Sequence, residues 1–259
     1  MVRRIQSFAR KFLAYLEASL GRHLAYRGEL AFWVLAQSLP LVFLALWVEG
    51  GPRPDLDYAR YYFFAWLAGF FHPLWVAYEL AYEINTGRLS PLLLRPFSPA
   101  LDYLASQLGL LLVSLVLGLP VAMLFPVLFP GFFSGLELLR LPGYLLYLAL
   151  GFAFHFALAW LIGSLAFFLE RSTGVLEAYY GLLYFFGGVA LPLDVLPPGL
   201  LRVLEWTPLP YLAFHPAAWA AGWEAGTGYG VLALWTLWVG LLAAFVWRRG
   251  LVRYGAFGA

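Results

Sequence analysis

YEINTGRLSPLLLRPFSP, Tyr82 to Pro99, is the one polar interruption between long apolar stretches of this chain that carries a pattern of its own. Gly87 suits a positive φ, Ser90-Pro91 suits a helix start with proline in the first turn, and Arg95-Pro96 suits a stop. Between these signals the spacing predicts a short helix, Pro91 to Arg95, of about one and a half to two turns. Its Leu92, Leu93 and Leu94 form an apolar ridge flanked by Arg88 and Arg95. A helix this short is not stable alone in water, so something must hold it. Two holders fit: the neighbouring helices of the same chain, or a second protein that accepts an apolar knob ringed by arginine.

The residues on either side of that stretch set the solvent. Of the 259 residues, 63% are hydrophobic, 19% aromatic and only 12% charged, against roughly 25% charged in a soluble domain. With a mean hydropathy of +0.79, the chain reads as an all-α integral membrane protein. A net charge of +2 is too small to recruit nucleic acid. Lys11 is the single lysine, and cysteine is absent, which excludes disulfides and thiolate metal sites.

Residues 1–28 form a first unit. Ile5, Phe8, Phe12, Leu13, Leu16, Leu20 and Leu24 fall on one side of a helix and Arg3, Arg4, Arg10, Lys11, Glu17 and Arg22 mostly on the other, as in a helix lying in the membrane surface. Charges interrupt it too often for a cleaved signal peptide. Residues 29–259 form the second unit, with apolar segments near 30–48, 60–82, 101–128, 142–168, 174–194 and 228–247, each long enough to cross about 30 Å of hydrocarbon. Alternating the loops puts Arg3, Arg4, Arg10, Lys11, Arg22, Arg27, Arg88, Arg95, Arg171, Arg248, Arg249 and Arg253 on one side, and Arg53, Arg60, Arg140 and Arg202 on the other. That bias predicts six spans with both termini in the cytoplasm, and a cytoplasmic 83–99 loop joining spans two and three.

Inside the spans, Pro40, Pro73, Pro120 and Pro126 predict kinks or local unwinding. Gln37, His72, Gln107 and His155 are the polar side chains near mid-membrane and are functional candidates on that ground. His155 also reads simply as a neutral imidazole hydrogen-bonded to a neighbouring helix. No carboxylate sits at the centre of a span, which argues against an ion-relay pump. Glu79 and Glu83, one turn apart at the cytoplasmic end of span two, are placed to form ion pairs with Arg88 or with arginines of the surface helix. Gly187-Gly188 reads as close helix packing. From 192 to 225 the chain is apolar yet carries Pro192, Pro197, Pro198, Pro208, Pro210 and Pro216. That combination predicts a re-entrant hairpin between spans five and six, on the extracellular side, anchored by Trp206, Trp219 and Trp223 at the interface.

Motifs that would give the chain its own chemistry are missing. There is no G-x-x-x-x-G-K-[ST], so no P-loop, and no H-E-x-x-H or G-x-S-x-G. His23, His72, His155 and His215 lie on separate segments without metal-ligand spacing.

In architecture and in motif the chain resembles the permease subunit of an ABC-2 type ABC transporter. INTGRLSPLLLRPFSP, Ile84 to Pro99, is similar to the I-x-x-G-x-L-x-x-L-L-x-R-P-x-x-P segment of a bacterial permease branch of that type. Tyr26-Arg27 and the closing WRRGLVRYGAFGA, Trp247 to Ala259, resemble that branch as well. The resemblance implies that Ile84 to Arg95 is a coupling helix inserted into a separate nucleotide-binding ATPase. Ile84, Gly87, Arg88, Leu89, Leu92, Leu93, Leu94, Arg95 and Pro96 would then carry the contact. It implies no cofactor in this chain, with ATP and Mg on the partner, and a second permease subunit, identical or paralogous. The pathway would lie between the two permeases along spans one, two and five. The hairpin would be its outer gate, and the location the inner (cytoplasmic) membrane. An aromatic-rich pathway without central charge suits a hydrophobic or amphipathic cargo moving outward. Two other classes stand beside this one. A membrane enzyme acting on a lipid or isoprenoid would need His72, His155 or Glu79 as catalytic groups, and a scaffold or passive channel would need none.

Overall fold

In the computed structural model residues 2–95, 97–170, 172–223 and 226–254 are described, with the backbone alone for residues 2–8. Pro96, Arg171 and the Gly255–Ala259 end of the closing motif lie outside the described residues, as do the side chains of Arg3, Arg4, Ile5 and Phe8. Every regular element among the described residues is helical. In chain order these are α1 (Val2–Ala25), α2 (Arg27–Ala36), α3 (Leu39–Gly50), α4 (Asp55–Gly69), α5 (Trp75–Asn85) and α6 (Leu89–Leu93). They continue with α7 (Pro99–Leu128), α8 (Leu141–Ser164), α9 (Gly174–Phe186), α10 (Pro198–Leu204), α11 (Phe214–Ala221) and α12 (Tyr229–Tyr254), and four short 3-10 turns fall between them.

Four stretches are long and apolar enough to cross a membrane: Arg27–Gly50, Pro99–Leu128, Leu138–Phe167 and Tyr229–Tyr254. They correspond to the first, third, fourth and sixth predicted spans. In the first, α2 gives way to α3 at Gln37-Ser38, with Pro40 in the first turn of α3. By contrast, α7 stays helical through both Pro120 and Pro126, so no unwinding occurs there.

The second and fifth predicted spans are not continuous helices. α4 stops at Gly69, and α5 begins only at Trp75. Pro73 lies between, without an amide proton, and its ring would collide with the Gly69 carbonyl if the helix ran on. The chain instead turns through His72, whose carbonyl takes the Leu74 amide at 2.7 Å. The fifth segment holds only the 13 residues of α9, about 20 Å of helix. It ends at Gly187-Gly188, and Gly188 has a φ of +94°. A Cβ on Gly188 would meet the Phe214 Cβ at 2.6 Å and the Tyr61 hydroxyl at 2.8 Å. The pair is therefore a helix stop and a close approach to α4 and α11, where the sequence suggests helix packing.

After that stop the chain folds into short proline-bounded pieces. α11 is buried along nearly its whole length and packs against α4 and α8. The Phe214 amide donates to Gly187 O at 2.8 Å, and the Tyr61 hydroxyl to Gly188 O at 2.5 Å. Of the three tryptophans expected at an interface, Trp206 is 81% exposed, but Trp223 is buried and stacks on Tyr61 with centroids 4.8 Å apart. Trp219 points its Nε1 to Arg140 O at 2.9 Å. Trp219 and Trp223 thus serve the interior, the first through its N–H bond to a carbonyl and the second through the ring that stacks on Tyr61.

α1 lies along α7. Ser19 Oγ donates to Ser106 O at 3.2 Å, and His23 Nε2 sits at the same distance from that carbonyl. The approach needs Gly109, where a Cβ would meet Ser19 Oγ at 2.6 Å.

Candidate functional site

Two features are candidates, the elbow between α5 and α7 and a cavity beside it. In the elbow, Gly87 takes a φ of +75° and turns the chain out of α5. The short helix then runs Leu89–Leu93, two residues earlier than the Pro91 start that the sequence suggests. Pro91 is tolerated at its third position because the first-turn amides of a helix have no internal acceptor to lose.

The shift splits the leucine ridge. Leu89 and Leu92 are buried, together with Ile84, in a core shared with Leu80 and Ile162 and with Leu176 at the start of α9. Leu93 is 39% exposed and Leu94 is 87% exposed. The chain's own helices hold the inner side of the elbow, and the outer leucines are left bare. Three polar contacts brace it. Arg95 Nη1 donates to Asp102 Oδ2 on α7 at 2.7 Å, Ser90 Oγ meets the Tyr254 hydroxyl of α12 at 3.0 Å, and the Arg88 guanidinium lies 5.7 Å over the Tyr82 ring.

The ion pairs expected of Glu79 and Glu83 do not form among the described residues. Glu83 instead accepts a hydrogen bond from the Tyr103 hydroxyl at 2.5 Å. Arg88 lies over Tyr82, and the pair it would have made is lost. Glu79 turns toward the cavity and joins its lining.

The cavity has a volume of about 650 Å3 and is walled by α2, α4, α5, α7 and α9. Its surface carries the aromatic side chains of Trp33, Trp66, Trp75, Tyr78, Tyr180 and Tyr184, the carboxylates of Glu29 and Glu79, and the neutral polar groups of Gln37, His72, Gln107 and Ser114. Three of the four mid-membrane polar residues singled out from the sequence therefore meet there. His155 does not. It is fully buried behind His72, 4.0 Å between ring centroids, with Nδ1 2.8 Å from Gly151 O and Nε2 3.0 Å from the Tyr179 hydroxyl. Among the described residues no three His, Asp or Glu side chains group as metal ligands.

The region from Pro192 to Trp223 is clasped rather than loose. Pro192 and Pro197 are extended, Pro198 opens α10, and Pro208 and Pro210 frame the turn at Leu209–Tyr211. Arg53 reaches Asp194 at 2.6 Å and lies 4.1 Å over the Trp223 ring. Arg140 pairs with Glu137 at 3.0 Å and donates to Trp223 O at 3.2 Å. Arg60 caps the turn after α7, donating to the carbonyls of Phe132, Gly131 and Ser134. The sequence marks these three arginines only as the sparse charges of one side. That scarcity is itself a signal, since a charge kept where few occur often has a fixed partner.

Residues 58–258 match a protein family described as ABC-2 family transporter protein. No curated protein matches the chain.

Proposed function

The chain belongs to the ABC-2 family of transporter proteins, and on that premise we propose that it is the membrane-spanning permease subunit of an ATP-driven exporter. Two permease subunits, identical or paralogous, enclose the pathway, and a separate ATPase that binds ATP and Mg supplies the work. In this reading α4 and α5 together cross the membrane as one broken span. α9 with the clasped 192–225 region makes a fifth span and a re-entrant hairpin that closes the outer end. Both termini face the cytoplasm of an inner-membrane protein, as the arginine bias favours.

The observation that carries the reading is the two-sided elbow. Leu93 and Leu94 stand outward on a helix of five residues whose inner leucines are sunk in the core of α5 and α8. Such a knob has little reason to be apolar unless a cleft receives it. Because Arg95 is paired to α7 and Ser90 meets α12, a push on Leu94 is delivered to several spans at once. The cavity is walled by helices of spans one, two and five together with α7 of span three, which supports a pathway that a partner permease completes.

The test is co-purification in mild detergent. The tagged chain brings down a P-loop ATPase in stoichiometric amount, and Leu94→Asp loses it while the permease remains inserted and monodisperse. Unchanged recovery of the ATPase with Leu94→Asp removes the elbow from the contact.

A further inference from the structure

At the break in the second span, polar side chains from three helical segments converge without satisfying one another. A recess of about 100 Å3 adjoins the large cavity and shares part of its wall. Gln37 enters it from the α2–α3 corner, His72 from the Phe70–Leu74 break, and Gln107 and Ser114 from α7. Among the described residues the side-chain amides of Gln37 and Gln107 and the Ser114 hydroxyl have no hydrogen-bond partner. Gln107 is nearly inaccessible. Gln37 is admitted by Gly69, where a Cβ would meet its Nε2 at 2.9 Å. The polar atoms of both amides open onto the recess, where an amide facing an otherwise apolar cavity gains from a partner, either water or a ligand.

We propose that the recess is a hydrogen-bonding subsite for an uncharged polar group, an amide, hydroxyl or ketone, on an otherwise aromatic or alicyclic cargo, a role that rests on the permease reading above. Its walls carry no Asp, Glu, Lys or Arg. A carboxylate or phosphate would find no cation there, and an ammonium no counter-charge. Carboxamides offer both donors and acceptors, which matches neutral groups of either kind. The apolar body of the cargo would lie in the 650 Å3 cavity, against Trp33, Trp66, Tyr180 and Tyr184. The cavity's two carboxylates, Glu29 and Glu79, stand outside the recess.

The experiment uses the full chain in lipid nanodiscs, without any ATPase, and three diazirine photoprobes with the same naphthyl body. They differ in one substituent: carboxamide, trimethylammonium or methyl. Peptides labelled on irradiation are read by mass spectrometry. The carboxamide probe labels the peptides containing residues 69–75 and 107–114 about tenfold more than the methyl probe, the weight of roughly one hydrogen bond. The trimethylammonium probe labels them less than the carboxamide. Gln107→Met, which keeps side-chain length, and Gly69→Ala, which displaces Gln37, each reduce carboxamide labelling to the methyl level while labelling at Tyr180–Tyr184 persists. If one variant fails to fold, the other decides. Equal labelling by all three probes means that the recess holds water only and overturns the subsite. Preference for the ammonium, or carboxamide labelling that survives the variants, overturns it as well. A recess that fails this test on a chain that still captures its ATPase removes the subsite alone. A labelled recess on a chain that captures none removes the permease reading alone.

Discussion

Side chains with identical chemistry do opposite work in the elbow, and the difference is one of facing. Leu92 and Leu94 are two residues apart on a short helix, so one turns into the core and the other into solvent. Leu92→Ala is expected to lower stability by about 2–4 kcal/mol through the cavity it leaves, whereas Leu94→Ala changes stability by less than about 0.5 kcal/mol. Thermal unfolding of the two purified variants in the same detergent measures the contrast, and equal losses would mean that Leu94 is also packed. His155 makes a second residue-scale case. Its imidazole joins Gly151 O to the Tyr179 hydroxyl, so His155→Phe strands that hydroxyl at a cost of about 1–3 kcal/mol. Transport per folded molecule stays near normal, and a stable but transport-dead variant would assign His155 to the pathway. At Gly188 the φ of +94° and the 2.6 Å approach of Phe214 make Gly188→Ala costly by about 2 kcal/mol or more, read as a drop in the unfolding midpoint.

Among the elements, α1 is held to α7 by small contacts, so its docking responds to pH. Burial against α7 is the main reason that His23 is lowered from its ordinary value; neighbouring Arg22 adds to this and the Ser106 carbonyl opposes it. A histidine with a lowered folded pKa contributes docking stability above its unfolded value near 6.5, and loses it as pH falls from there toward the folded value. Protection of the amides over residues 9–25, taken relative to their intrinsic exchange rate at each pH, should therefore fall between pH 7 and pH 5, and His23→Gln should flatten that dependence. The elements also mark how far a sequence can be read. The elbow, the N-terminal helix and the four long helices are legible as helices because hydropathy, glycine and proline agree there. The breaks in the second and fifth segments are not, because Phe70, Phe71 and Leu74 in one, and Val189, Ala190 and Leu191 in the other, are as apolar as helix. Hydropathy reports the solvent a residue prefers, and these breaks concern where backbone groups find partners. The two-residue shift of the short helix has the same origin, since Pro91 suits the first position and is equally harmless at the third.

At the scale of the whole molecule, polar fixtures sit at both ends of an apolar bundle. One end has the elbow, braced by Arg95–Asp102 and by Ser90 against Tyr254. The other has Arg53 and Arg140 clasping the proline-rich region and Arg60 capping the turn after α7. The aromatic cavity lies between α2, α4, α5, α7 and α9. The site residues could be named from the sequence one by one, but their meeting could not. Gln37 and Gln107 are seventy positions apart, and only the packing of α2 against α7 brings them to one recess. The central claim is that the elbow delivers work from a separate ATPase, and the absence of cysteine makes it directly measurable. Leu94→Cys places a single thiol on the exposed leucine, and a bifunctional cross-linker is added to native membranes. The account predicts one dominant adduct with a P-loop ATPase, its yield changing with ATP, and none from Val116→Cys on the outer face of α7. A Leu94→Cys chain that stays unlinked to any nucleotide-binding protein, in membranes where the permease is intact, would contradict it.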